Sequence, residues 1–463
     1  MRREKILLKN NLPGFYKTVF HLALPIILQN LMQTFVNMLD TIMVGRLGTK
    51  EIAAVGLGNQ IFFILNMILF GVSSGGSVFV SQMYGRGDTK GIQKTVGLMT
   101  MLSVFASLIF MSAAFFAPDF LMSLYSKDSA VVSLGARYLR VVAVSYFFIA
   151  LGFPFQISFR SIDHVFLPMV CTGISILLNL VCNYVFIFGV EIFIFGARIF
   201  IPSMGVAGAA LGTVVARFAE TFILLAYSIL KKFEIFSSPK NFFQSDRNFA
   251  AKFFSVAFPV VINESLWGLG VTLQNSIFSH AGTFAIASYN ITGTISQLTW
   301  VFFIGVGNAS GIILGKKIGE GKTDEVKAYA FRFLWFIPLC AVFLGMLLCP
   351  LSALLPFLFN VEKSVLFQAR CMLLELMAAY PFNAFCMYFI VGFCRAGGDT
   401  KYAAFHDIFW MWCVSLPLAS FGAFYLKLEP RFFYLFLFSE SFIKSIAGIL
   451  RFRSGKWLRD LSE

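Results

Sequence analysis

A chain of 463 residues with 58% apolar and 13% charged residues and a mean hydropathy of +0.79 is no ordinary soluble protein, and it is expected to sit in a membrane. A net charge of +14 would suggest a nucleic-acid partner, but the 37 Lys and Arg lie between apolar runs and not on one stripe, so that partner is not expected. The eight cysteines (Cys171, Cys182, Cys340, Cys349, Cys371, Cys386, Cys394 and Cys413) fall mostly inside apolar segments, without CxxC or a His at ligand spacing, and read as small buried hydrophobes.

From the N-terminus, Met1 to Lys17 carries five basic residues ahead of an apolar stretch too long for a signal core, so no leader is expected to be removed. A window of about 19 residues, enough for roughly 30 Å of hydrocarbon, then finds twelve spans. They are 19–44, 55–80, 95–117, 135–158, 166–190, 205–230, 253–279, 285–314, 329–350, 368–392, 403–425 and 431–450. Backbone groups in lipid need internal partners, and no ten-residue alternation suggests a barrel, so the spans are helices. The expected fold is all-α, a twelve-helix integral membrane bundle. With the N-terminus inside, inner segments hold 25 Lys/Arg and outer loops 10, which the positive-inside rule favours; both termini are expected in the cytoplasm.

Sliding the chain by 234 residues aligns Phe20–Thr89 with Phe254–Thr323 without gaps, with fourteen of 70 positions identical. Among them are Pro25/Pro259, Gly48-Thr49/Gly282-Thr283 and the loop pair Gly85-Arg86-Gly87-Asp88-Thr89/Gly319-Glu320-Gly321-Lys322-Thr323. An offset of six helices preserves topology, so the halves are parallel repeats: an N-lobe 1–228 (helices 1–6), a basic cytoplasmic linker 229–252 and a C-lobe 253–463 (helices 7–12). Two pseudo-symmetric six-helix lobes with a seam suit alternating access around a central site.

Ionisable groups inside a membrane cost roughly 2.5–3.5 kcal/mol on insertion scales, so each needs a reason. Asp40 falls about 35 Å along helix 1 at 1.5 Å per residue, in the outer half of a long or tilted span. Its repeat partner is Gln274, so the acid belongs to one lobe. Asn179 and Asn183 stand at i,i+4 on one face of helix 5, and Thr213 lies on helix 6. These residue types could form a cation or proton site: oxygen donors suit a hard ion such as Na⁺, burial suits a proton. The two asparagines could equally just stitch helices together. Glu264 lies near the midplane of helix 7, suited to a cationic substrate or a proton, or to pairing with Arg217 or Lys444. Lys444 has Glu440 as an i,i+4 partner. Glu220, Glu375 and Asp407 lie nearer span ends, where water is expected. Pro25 and Pro259 each remove a helical hydrogen bond at matching places, as candidate hinges or as static kinks. Gly205, Gly208 and Gly212 read as close helix packing. No nucleophile–base or metal constellation points to an enzyme.

The run Leu24-Pro25 to Asp40-Thr41-Ile42-Met43-Val44-Gly45 resembles helix 1 of the multidrug and toxic compound extrusion (MATE) family. So do Gly85-Arg86-Gly87-Asp88, Gly205 to Thr213, Asn263-Glu264 to Gly270, Arg395-Ala396-Gly397-Gly398-Asp399-Thr400-Lys401 and Arg451 to Trp457. Their order and spacing cover the whole chain. The resemblance implies an exporter of organic cations and amphipathic toxins, driven by inward H⁺ or Na⁺. It has no cofactor, works as a monomer in the inner membrane, and its partners are small molecules and the bilayer. It also implies that Asp40, Asn179, Asn183 and Thr213 form the N-lobe cation or proton site, with any Na⁺ at Asp40, and that Glu264 is the C-lobe carboxylate. Some members carry a second acid where Asn183 stands. The first-lobe counterpart of the Arg395–Asp399 motif reads Arg160-Ser161-Ile162-Asp163-His164, without its Gly-Asp-Thr. A lipid-linked saccharide flippase or a channel on the same bundle is the alternative.

Overall fold

The computed structural model describes residues 14–194, 197–233, 235, 239–242, 244, 246–359 and 361–461. Among them are 12 helices long and apolar enough to cross a membrane. In the first half these are α1 Phe15–Gly45, α2 Thr49–Arg86, α3 Thr89–Phe116, α4 Ser129–Ser161, α5 Phe166–Phe188 and α6 Val206–Leu230. In the second half they are α7 Arg247–His280, α8 Thr283–Gly319, α9 Thr323–Phe357, α10 Lys363–Cys394, α11 Thr400–Tyr425 and α12 Pro430–Ser454. Each coincides with one expected span. Most run further than the apolar core, because a helical backbone satisfied within lipid continues past it, and Gly87, Gly189 and Gly455, all at positive φ, follow directly on the ends of α2, α5 and α12.

Two local features depart from plain helix. Between α5 and α6 the chain forms an antiparallel hairpin, β1 Val190–Ile194 and β2 Ala197–Ile201, with Val190 opposite Ile201. Gly189, at φ 76, turns the chain out of α5 and into it. The hairpin was not expected, although Val-Glu-Ile-Phe-Ile and Ala-Arg-Ile-Phe-Ile are strand-like runs rich in β-branched and aromatic residues. The second feature is a set of wide π-helical turns at Tyr388–Cys394, Met411–Ser415 and Phe421–Tyr425, in α10 and α11.

The chain forms two compact units. One comprises Leu28–Val80 and Thr89–Lys252; the other comprises the chain up to Ile27, Ser81–Asp88 and Phe253 onward. In the first unit Leu65, Leu69, Leu139, Ala143, Tyr146 and Ala210 are buried together. Lipid tails are as apolar as these side chains, so close packing and not water exclusion holds such helices. That is why small residues face the helix contacts. A Cβ on Gly208 would collide with the Phe186 carbonyl, and one on Gly212 with the Asn183 amide, so the glycines of α6 do serve close approach.

In the second unit, repeat-related residues meet. A Cβ on Gly85 would strike the Lys316 carbonyl, and one on Gly319 the Gln82 carbonyl, so the shared glycines let the ends of α2 and α8 touch backbone to backbone. The C-terminal segment closes over the Arg395–Asp399 loop. Trp457 is fully buried against Phe393, Asp399 ion-pairs with Arg451 and Arg459, and Gln82 accepts from the Leu461 amide. The first half's version of this loop keeps the shape without the glycine: Asp163 takes φ 66 where Gly398 takes φ 71. Asp tolerates that left-handed conformation better than most residues. All eight cysteines are free; Cys171, Cys386 and Cys394 are buried as expected, whereas Cys349 and Cys413 are exposed.

Candidate ion-binding site

Asp40 lies in the last third of α1, where its side chain is partly buried and lines a cavity of about 370 Å³ inside the first unit. Asn179 and Asn183 are one turn apart on α5, so both amides project from one face. Asn183 Nδ2 donates to Asp40 Oδ1 at 2.6 Å and to Asn179 Oδ1 at 3.3 Å. Asn183 is 1% exposed, and its Oδ1, pressed against Gly212, has no hydrogen-bond partner among the described residues. Thr213 shares the cavity wall, its hydroxyl donating to the Ala209 carbonyl at 3.1 Å and leaving its lone pairs free to accept. The four residues named from the sequence therefore converge. Further polar groups on the wall include Asn37 and Thr41 on α1, Asn59 and Asn66 on α2, Ser175 on α5, and Tyr138 on α4, whose hydroxyl donates to Asn59 Oδ1 at 2.9 Å.

A second polar system abuts this cavity. Arg217, one turn beyond Thr213 on α6, also lines it. Its Nη1 donates to Glu220 Oε2 at 2.7 Å and its Nη2 to Gln33 Oε1 at 3.1 Å. Behind it, Thr172 Oγ1 donates to Glu220 Oε1 at 2.7 Å, Gln29 Nε2 donates to Thr172 Oγ1 at 2.7 Å, and Arg160 Nη2 donates to Gln29 Oε1 at 2.5 Å. Glu220 is 2% exposed, so the expectation that water reaches it is corrected: a buried hydrogen-bonded chain replaces that water.

In the second unit the acids are tied differently. Glu264 Oε1 accepts from Arg395 Nη2 at 2.5 Å, so its basic partner is Arg395 and neither Arg217 nor Lys444. Lys444 donates to Glu440 Oε2 at 3.0 Å, the i,i+4 pair, and to Asp407 Oδ1 at 2.7 Å. Asp407 also accepts from Asn263 Nδ2 at 3.0 Å and is buried, so it too was wrongly expected to meet water.

The family model described as MatE matches residues 25–185 and 259–421, one stretch in each half of the chain. The chain belongs to the MatE family. A curated relative of this MatE chain, "Probable multidrug resistance protein NorM" from Thermotoga maritima, is 25% identical over 97% of this chain and 94% of its own length. Among solved structures, a mutant of the Vibrio cholerae MATE transporter VcmN superposes with a TM-score of 0.84 at 16% identity, covering 96% of this chain and 97% of that one. A structure of MATE in the bent conformation gives 0.81 at 20% identity, covering 96% of this chain and 95% of that one. The MatE fold, two six-helix lobes, is thus common to all three.

Sequence reasoning named Asp40 and its three neighbours in this MatE chain, but missed the Arg217–Glu220 and Arg395–Glu264 pairings. The missing signal was available: Arg217, Glu220, Lys444 and Asp407 are all charges inside apolar runs, and such charges pair with one another. Which pairs form depends on helix rotation, which spacing within one helix does not fix.

Proposed function

We propose that this chain is a secondary antiporter that exports organic cations and amphipathic toxins while H⁺ or Na⁺ enters through the site at Asp40. The observation that carries the reading is the Asp40 carboxylate in a cavity of the first unit, held by the buried Asn183 amide, with Asn179 and Thr213 beside it. Membership of the family and a relative called a probable multidrug resistance protein support the substrate class. The protein works in the inner membrane with both termini in the cytoplasm, consistent with the Lys/Arg bias, and as a monomer without a cofactor. In this reading residues 1–228 and 253–463 act as its two lobes, joined by the linker 229–252.

In this reading, loading Asp40 lowers affinity for substrate, and substrate lowers affinity for the ion by the same factor. Each unit charge entering down 100 mV supplies about 2.3 kcal/mol to the cycle. Pro25 and Pro259 lie inside α1 and α7 and serve as hinges; a relative solved in a bent conformation supports motion of this kind. Glu264 takes the secondary role of a C-lobe proton or substrate carboxylate, for which its pair with Arg395 has to open.

The test is ethidium efflux from proteoliposomes under separately imposed proton and Na⁺ gradients. Asp40→Asn is expected to lose gradient-driven efflux while still binding ethidium. Intact coupling in that variant would falsify the reading.

A further inference from the structure

The segment that follows α12 is held by a side chain from the first half of the repeat. Gly455, at φ 67, ends α12, and the chain then runs back along the loop 395–399 between α10 and α11. A Cβ on Gly397 would strike the Trp457 carbonyl, and one on Gly398 would crowd the Leu461 side chain, so the two glycines give the segment its bed. The Arg459 amide donates to the Gly397 carbonyl at 3.0 Å. Gln82, near the C-terminal end of α2 and fully buried, spends its whole amide here. Its Nε2 donates to the Ala396 carbonyl at 2.7 Å and to the Arg459 carbonyl at 3.2 Å, and its Oε1 accepts from the Leu461 amide at 2.6 Å. The first half repeats the aromatic anchor. Phe233 follows α6 as Trp457 follows α12, and it packs on Phe159 at 5.2 Å as Trp457 packs on Phe393 at 5.1 Å. The beds differ, because Ile162 and Asp163 carry side chains where Gly397 and Gly398 make room.

We infer that residues 459–461 form a strap that fastens the C-terminal end of α2 to the loop 395–399, and that release of the strap from Gln82 is a step of the transport cycle. The inference rests on alternating access by the two halves and not on the role of Asp40. α2 is shared between the compact units: its length up to Val80 belongs to one, and Ser81 onward to the other. While Gln82 is held, α2 cannot move as one rod with the unit that owns most of it. The bonds of the strap suit repeated release. Gln82 meets neutral backbone groups, and water can replace each of them once it reaches the site, so no charge is stranded. Asp399 gives up Arg459, at 3.2 Å, but keeps Arg451, whose Nε donates to it at 2.7 Å. Trp457, packed on Phe393 and Phe452, stays behind as the fixed end. In the orientation read from the Lys/Arg bias this end of α2 faces the cytoplasm, so the strap holds the side from which substrate is taken up.

The experiment bridges the strap to α2. The double variant Gln82→Cys/Leu461→Cys is treated with a short bis-methanethiosulfonate reagent and assayed for ethidium efflux in proteoliposomes, with each single variant treated alike to account for the native cysteines. The bridged protein is expected to lose efflux on the order of tenfold or more, because a conformational step is blocked, and to regain it on reduction. The single variants keep theirs. Hydrogen exchange on the purified protein gives a second readout that needs no turnover. Deletion of residues 459–463, which spares Trp457, is expected to speed amide exchange at the C-terminal end of α2 on the order of tenfold. Efflux by the bridged protein at the unbridged rate overturns the inference, and so does a cysteine pair that the reagent fails to bridge, or a deletion whose α2 amides exchange like those of the wild type. Should the double variant be inactive before bridging, the exchange comparison decides. A wild type that exports no ethidium sinks the exporter reading instead, and the exchange comparison still tests the strap.

Discussion

Gln29 on α1 and Asn263 with its neighbour Glu264 on α7 occupy repeat-related positions, and each unit builds the same hydrogen-bond pattern there with different charges. In the first unit Gln29 alone accepts from Arg160 at 2.5 Å and donates to Thr172 at 2.7 Å. In the second the two tasks are split: Glu264 accepts from Arg395 at 2.5 Å, and Asn263 donates to Asp407 at 3.0 Å. The next partner inverts sign. Thr172 meets the acid Glu220 on α6, whereas Asp407 meets the base Lys444 at the same distance from the start of α12. The backbone plan is therefore shared, while the charges are free to differ so long as each buried group finds a partner. The consequence is electrostatic. Every buried acid of the second unit's cluster is bound to a Lys or Arg, whereas among the described residues Asp40 of the first has an amide partner and no ion pair, which is what the proposed ion site requires.

If the second cluster is a closed ion network, breaking it should be costly. Lys444 is 3% exposed and joins Asp407 and Glu440, so Lys444→Met leaves two buried carboxylates facing each other. A loss of about 3–5 kcal/mol is expected, read as a large fall in the thermal midpoint of the detergent-solubilised protein. Replacing Lys444, Asp407 and Glu440 together by Met, Asn and Gln should recover most of it. A single Lys444→Met variant as stable as the wild type would mean that the cluster is wet or already neutral, and the contrast between the units would collapse.

How much of this was readable beforehand follows the same division. The helices were legible because lipid forces every backbone group into an internal bond, so length and apolarity alone locate them. Asp40, Asn179, Asn183 and Thr213 were legible because an acid and amides stood in otherwise apolar runs and matched a family pattern. The partners of Glu264 and Lys444 were not fully legible. Glu440 lies one turn from Lys444 and was found; Asp407 and Arg395 lie on or beside other helices, and only packing decides which face meets which. The hairpin at Val190–Ile201 is invisible to a 19-residue hydropathy average, which spans two five-residue strands and the turn between them.

A milder substitution sharpens the comparison at its point of closest likeness. Because Gln29 already fills the role of Glu264 beside an arginine, Glu264→Gln should fold and should cost only about 1 kcal/mol, the difference between a charged and a neutral acceptor for Arg395. Thermal unfolding checks the stability. Efflux by the same variant then separates structure from transport: a stable E264Q protein with slowed export would locate a transport role in the carboxyl group, and one with normal export would reduce Glu264 to a structural partner of Arg395.

The smallest effect lies in the loops that the repeat shares. Arg86 and Asp88 of the first copy are replaced by Glu320 and Lys322 in the second, so the charges exchange while Gly87 and Gly321 keep φ near 78 and 73. Glu320 bonds Lys317 at 2.9 Å and Lys322 at 2.8 Å. Partial burial works against its ionised form, but the two lysines outweigh that and hold its carboxyl below the usual glutamate range. A carboxyl depressed in the folded state stabilises at pH values above its unfolded pKa, and that stabilisation fades as pH falls through the folded value. The pair is partly exposed and screened, so Glu320→Gln should cost only about 0.2–1 kcal/mol at neutral pH, less at high salt. Wild-type and variant unfolding curves should then converge on acidification below the ordinary glutamate range. Curves that stay parallel down to that pH would show that Glu320 stabilises the loop through packing and not through its charge.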